Sequence, residues 1–198
     1  MMSAANRYAE LLETGISDQV CLTWCRIGDV EEVARRFGAD PATGTWEDFL
    51  DVDFPEVGAA VQLVPLGGWT LAVEPYGLEG VRPEVAEELS RDEGRAFAVY
   101  WNVNLGSDVV YAENGRVLTT FDLMADIGER AGSDPAALDG MLARVGLHGG
   151  LPARARKERA LALGEEISGQ TLTVDLFRSP VRTFTITDPL PDAIIPPA

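Results

Sequence analysis

One histidine, His148, and two cysteines, Cys21 and Cys25, are all the imidazole and thiol that 198 residues offer. A structural zinc site takes four Cys, His or carboxylate ligands. The two thiols would need two more ligands, so no metal and no cofactor is expected. General-base chemistry by imidazole rests on His148 alone, with Asp122 or Glu129 as a partner, and the plain reading of Gly146-Leu147-His148-Gly149-Gly150 is an exposed loop. The patterns Gly-x-Ser-x-Gly, His-Glu-x-x-His and Gly-x-x-x-x-Gly-Lys are missing as well, which takes weight from the main recognisable enzyme classes. Neighbouring carboxylates such as Asp51/Asp53 and Glu165/Glu166 invite a hydrolase reading, but 32 acids make chance pairs inevitable. No catalytic residue is assigned. No run reaches the about 18 apolar residues of a membrane-spanning helix, and the N-terminus lacks the apolar core of a signal peptide. The expected location is cytoplasmic.

Positive charge is the second shortage. Sixteen Lys and Arg face 32 Asp and Glu, a net charge of −16, and the isoelectric point is about 4.3. The excess is uneven: residues 1–99 hold 19 acids and 7 bases, residues 100–198 hold 13 and 9. Such a field repels phosphate backbones and anionic headgroups and attracts basic proteins, so neither nucleic acid nor membrane is an expected partner. The same charge also serves solubility.

What is present builds a core. Hydrophobic residues make up 46% of the chain, enough for a single domain over 1–188 with a Pro-rich tail at 189–198. Cys21 and Cys25 sit in the β-forming stretch Val20-Cys21-Leu22-Thr23-Trp24-Cys25. Four strand residues span roughly 13 Å, beyond the reach of a disulfide of about 7 Å between α-carbons. Two reduced core thiols are expected. Tyr8, Leu11 and Leu12 predict a first helix stopped at Gly15. Asp29 and Glu32 predict a capping box for a helix with Val30, Val33, Ala34 and Phe37 on one face, ended by Gly38.

Between 60 and 121 the pattern turns to strands. Gly67-Gly68 predicts a hairpin pairing Leu66 with Trp69, Val64 with Leu71 and Gln62 with Val73. Pro65 cannot donate to a ladder, which predicts an edge strand or a local irregularity. Pro83 opens a helix over Val85 and Leu89. Residues 95–105 alternate, placing Phe97, Val99, Trp101, Val103 and Leu105 on one face and Tyr100, Asn102 and Asn104 on the other. Asn114-Gly115 predicts a second hairpin with Glu113 opposite Arg116. Beyond it, Leu138, Met141, Leu142 and Val145 predict a helix closed by Gly146, a basic-headed helix follows over 153–167, and 182–188 alternates like a last strand. The expected architecture is α+β: one domain with a five- to six-stranded, mostly antiparallel meander sheet and helices packed on one face.

The segments CLTWCRIGDVEEVARRFGAD, GGWTLAVEPYG, FAVYWNVNLGS, YAENGRVLTTFD and GSDPAALDGML, in that order, resemble an uncharacterised family, a domain of unknown function, of acidic proteins of about 200 residues from high-GC bacteria. The resemblance covers 18–187. It implies a small intracellular α+β protein and carries no catalytic residue with it.

Two candidate surfaces remain. Residues 40–58 interleave acids with large apolar groups and no Lys or Arg. They either fold a short helix back onto the core or present acid-rimmed hydrophobics to a partner. The candidate partner-binding set is Trp46, Glu47, Asp48, Phe49, Asp51, Asp53 and Phe54, with Trp69. The second surface is Tyr100, Asn102 and Asn104, which face water, contact a protein, or line a ligand pocket with Trp69 or Tyr111. The leading functional expectation is a non-enzymatic, immunity-like or regulatory module docking a basic protein partner. The alternatives are a small-molecule sensor or enzyme using that polar face, and an acidic mimic of nucleic acid, which would need carboxylates regularly spaced along a ridge.

Overall fold

The computed structural model describes residues 4–50 and 59–190. Eight strands form one antiparallel sheet in the order β2-β8-β3-β4-β1-β5-β6-β7, with β1 Val20–Cys25, β2 Thr45–Glu47, β3 Ala59–Leu66, β4 Trp69–Glu74, β5 Arg95–Trp101, β6 Ser107–Glu113, β7 Arg116–Phe121 and β8 Val181–Ile186. Five α-helices accompany it: α1 Ala4–Leu11, α2 Val30–Arg36, α3 Pro83–Leu89, α4 Asp139–Val145 and α5 Ala153–Ser168.

The α+β class stands, and the sheet is larger than expected. The meander over 60–121 is split, because β1 inserts between β4 and β5 and pairs with both. A strand read in isolation carries no label for its neighbours. The outer strand β2 is three residues long, too short for a two-residue period to show.

Helices cover both faces, which corrects the one-sided expectation. Val20, Leu22 and Trp24 of β1 join Phe97, Val99 and Trp101 of β5 in a cluster with Tyr8 and Leu11 of α1, Leu142 of α4 and Leu161 of α5. The alternate residues of the sheet turn the other way, with Cys25, Ala72 and Ala96 against Val33 of α2, Phe37 at its C-terminal cap, and Val85 and Leu89 of α3. The sheet is therefore a middle layer, and every residue of β1 and β4 is buried. Strands buried on both faces lose the apolar–polar alternation that marks a half-exposed sheet. At Gly164 α5 lies so close to β1 that a Cβ would stand 2.6 Å from the Trp24 ring.

Several local readings hold. The Gly67-Gly68 hairpin has the expected register of Leu66 with Trp69, Val64 with Leu71 and Gln62 with Val73. Asn114 and Gly115 take φ of 53° and 72° and bring Glu113 opposite Arg116. The Glu113 carboxylate pairs instead with Arg95 on β5, at 3.0 Å. Asp29 caps α2 by accepting from the Glu31 amide, while Glu32 turns to Arg35 and Arg36 and leaves the capping box half made. β5 ends at Trp101 rather than running to 105, so Val103 and Leu105, expected to share a face with Phe97, Val99 and Trp101, are exposed. Both thiols are free and buried on β1.

Candidate functional site

The open end of the sheet is where the sequence leaves something unfilled. β3 has two neighbours, β4 and β8, but the β8 ladder stops at Leu63 opposite Arg182. Pro180 lies two residues before Arg182 and cannot extend the ladder as a donor. Past that point Val64 and Pro65 run without β8, so the missing N–H of Pro65 is harmless and its edge-like chemistry is met inside an inner strand. The gap is a cavity of about 440 Å³ lined by Val30, Trp46, Leu63, Val64, Pro65, Asp175, Leu176, Ser179, Pro180, Val181 and Arg182.

Its rim is built by cross-strand register. Trp46 on β2 stands opposite Arg182, and Arg182 opposite Leu63, so the three share one face of the sheet. Trp46 is 68% exposed. The Arg182 guanidinium lies 5.9 Å from the Trp46 ring centroid and 5.0 Å from that of Phe184. Gly44 admits this stack: a Cβ there would meet the Phe184 ring at 2.4 Å and the Arg182 guanidinium at 2.5 Å. The buried Nε of Arg182 finds no acceptor among the described residues.

The acids near this end differ in their engagement. Asp175 pairs with Arg178 at 2.9 Å. Glu47 accepts a 2.7 Å hydrogen bond from the Thr45 hydroxyl. Asp48 is exposed, and its carbonyl accepts from Gln62 Nε2. Glu31, beside the cavity-lining Val30, is exposed.

The expected partner-binding residues are therefore divided. Trp46, Glu47 and Asp48 stand together on the sheet edge. Phe49 turns inward and stacks on Phe177 with ring centroids 4.2 Å apart, while Gln62 Oε1 accepts from the Leu50 amide. Trp69 is 8% exposed within the first core cluster and presents almost nothing to a partner. Asp51, Asp53 and Phe54 lie outside the described residues. Arg182 is not among the expected site residues; its sequence signal is a lone base in a strand whose apolar members are Val181, Phe184 and Ile186.

The expected ligand face does not form as a row. Tyr100 is buried among Cys21, Val81, Ala86, Ala98 and Val110. Asn102 lies beyond the strand, donating from Nδ2 to the Tyr100 hydroxyl at 2.8 Å and accepting at Oδ1 from the amides of Asn104 and Gly106. Asn104 is exposed. These groups satisfy one another to close the β5–β6 turn.

Beneath the second face, Glu74 is buried, and its carboxylate accepts from the amides of Glu79 and Gly80 at 2.9 and 2.8 Å. Burial lifts its pKa to about 7. Burial, and then the charge of Glu74, push the Cys21 thiol well above its usual range, and burial raises Cys25 to about 12. Neither sulfur is a ready nucleophile. His148 is exposed, Glu165 accepts from the Thr171 hydroxyl, and Glu166 pairs with Arg144. No group of three or more His, Cys, Asp or Glu among the described residues is placed to hold a metal ion, and no helix among them is long and apolar enough to cross a membrane.

No curated protein and no solved structure matches the chain. The model of a family of unknown function, DUF6461, matches residues 14–187, and the chain belongs to that family.

Proposed function

We propose that this protein is a non-catalytic binding module that docks a basic protein partner across the sheet edge formed by β2. The observation that carries the reading is Trp46, which offers most of its indole to solvent beside an apolar hollow. Exposed aromatics over apolar pockets are the anchors that dominate protein interfaces. Glu31, Glu47 and Asp48 adjoin the lining residues Val30 and Trp46 in the chain, and carboxylates near a docking face speed association with a cationic surface. Catalysis has less behind it: the thiols are deprotonated only at high pH, and the sole imidazole stands alone in a loop.

The test is site-specific photocrosslinking in the native host, with a benzophenone side chain in place of Trp46 and, as a control, of the equally exposed Val103. The expected result is an adduct with a protein of net positive charge, formed from position 46 only. It should vanish in about 1 M salt, where the screening length falls to about 3 Å. Adducts arising equally from both positions, or none from position 46, would remove the proposal.

A further inference from the structure

We propose that the cavity beneath Trp46 is a receptor for a small apolar carboxylate, whose head engages the Arg182 guanidinium and whose hydrocarbon body lies against Val30, Leu63, Pro65 and Leu176. This goes beyond the partner reading, which concerns what crosses the rim rather than what fills the hollow.

Arg182 is the reason. In a chain with twice as many acids as bases, this guanidinium lies over two aromatic rings, and its buried Nε donor goes unused among the described residues. A buried donor without an acceptor is costly, the more so when charged, and native structures keep few of them. A ligand carboxylate in the cavity would meet the guanidinium that lines it, and the planar fork of arginine suits two parallel hydrogen bonds to one carboxylate. The ring stack fixes the guanidinium before any ligand arrives, so little side-chain entropy is lost on binding.

The cavity decides the rest of the ligand. Its volume of about 440 Å³ lies within the range of small-molecule sites, about 300–1,000 Å³. Val30, Leu63, Val64, Pro65, Leu176, Pro180 and Val181 give it mainly hydrocarbon walls, which leave the hydroxyls of a sugar unpaired. The head carries a single charge: Asp175 also lines the space, and a net charge of −16 repels a phosphate dianion more than a carboxylate.

Isothermal titration calorimetry with sodium decanoate, decan-1-ol and decyltrimethylammonium tests this on the full chain. The expected result is saturable binding of one decanoate per chain, at least about tenfold tighter than decanol, the worth of one charge-assisted hydrogen bond, and no comparable binding of the cation. Equal affinity for decanoate and decanol would reduce the hollow to a greasy cleft and overturn the proposal, as would the absence of saturable decanoate binding. The Arg182→Met variant, checked for folding by circular dichroism, should lose about tenfold in decanoate affinity and keep that for decanol. Unchanged decanoate binding would also overturn it. The wild-type comparison needs no variant, so a misfolded Arg182→Met leaves the test intact. The Arg182 Nε–H resonance should shift with decanoate and stay in place with decanol, and the absence of that shift would count against the site.

Discussion

Glu74 ends β4 inside the protein, with two backbone amides aimed at its carboxylate and a pKa lifted by burial to about 7. In an unfolded chain the same group titrates near 4.3. Between these values the folded state holds a proton that the unfolded state has released, so stability is greatest below the lower value, falls as pH rises through the window and levels off above about 7. The change is on the order of 3 kcal/mol. Glu74→Gln should remove it: the difference in urea-unfolding free energy between variant and wild type should drift in the variant's favour from pH 5 to pH 8. A second residue-scale expectation concerns Gly164, where the helix meets the Trp24 ring. Gly164→Ala should lower stability by about 1–3 kcal/mol through overpacking, despite the better helix propensity of alanine. Thermal or urea unfolding will read both. Cys21 and Cys25 were legible at this scale, because strand geometry alone keeps them apart; the pKa of Glu74 was not, since burial is a property of the packed fold.

At the scale of elements, the two hairpins were readable to the residue because a two-residue turn sets the register on either side. The extent of β5 was not. Residues 95–105 keep their alternation, but Asn102 accepts the amides of Asn104 and Gly106 and closes a turn that periodicity cannot reveal. The candidate edge shows the same division. Composition marked Trp46 and Phe49 alike as large apolar groups among acids, and the chain turns one outward and the other onto Phe177. Phe49→Ala should therefore destabilise by about 2 kcal/mol, less than the about 3–5 kcal/mol of a fully buried ring, because Phe49 is half-buried. Trp46→Ala should stay within about 0.5 kcal/mol of wild type, as surface substitutions do, while weakening capture of the proposed partner at least about tenfold. Equilibrium unfolding of the two variants side by side checks the contrast.

Over the whole molecule, the acid surplus is spread among internal pairs as well as open water. Glu32 and Asp92 meet Arg36, Glu79 and Glu84 meet Arg82, Glu13 meets Arg154, and Glu88 meets Arg91. The basic head of α5, awkward for its own dipole, is used this way: Arg154 reaches Glu13 beside α1, and Arg156 donates to the carbonyls of Leu123, Ala125 and Leu151. Under the proposed docking reading, this pairing leaves acids such as Glu31, Glu47 and Asp48 to face a cationic partner. The residual net charge still strains the folded state, and exposed pairs contribute little each. Sodium chloride should therefore raise the melting temperature near neutral pH, by about 2–4 °C for each kcal/mol of repulsion screened. A fall in melting temperature on adding salt, in a scanning calorimetry series, would mean that ion pairs dominate instead.

Composition determined the surplus of negative charge, and periodicity and turn chemistry, which act between neighbours in the chain, determined the α+β class, the hairpin registers and the separated thiols. The tertiary fold alone decided that β1 divides the meander, that helices cover both faces, and that Arg182 stands unpaired beneath Trp46. Those outcomes depend on which distant segments share a layer, and a one-dimensional pattern carries no record of that until the layers pack.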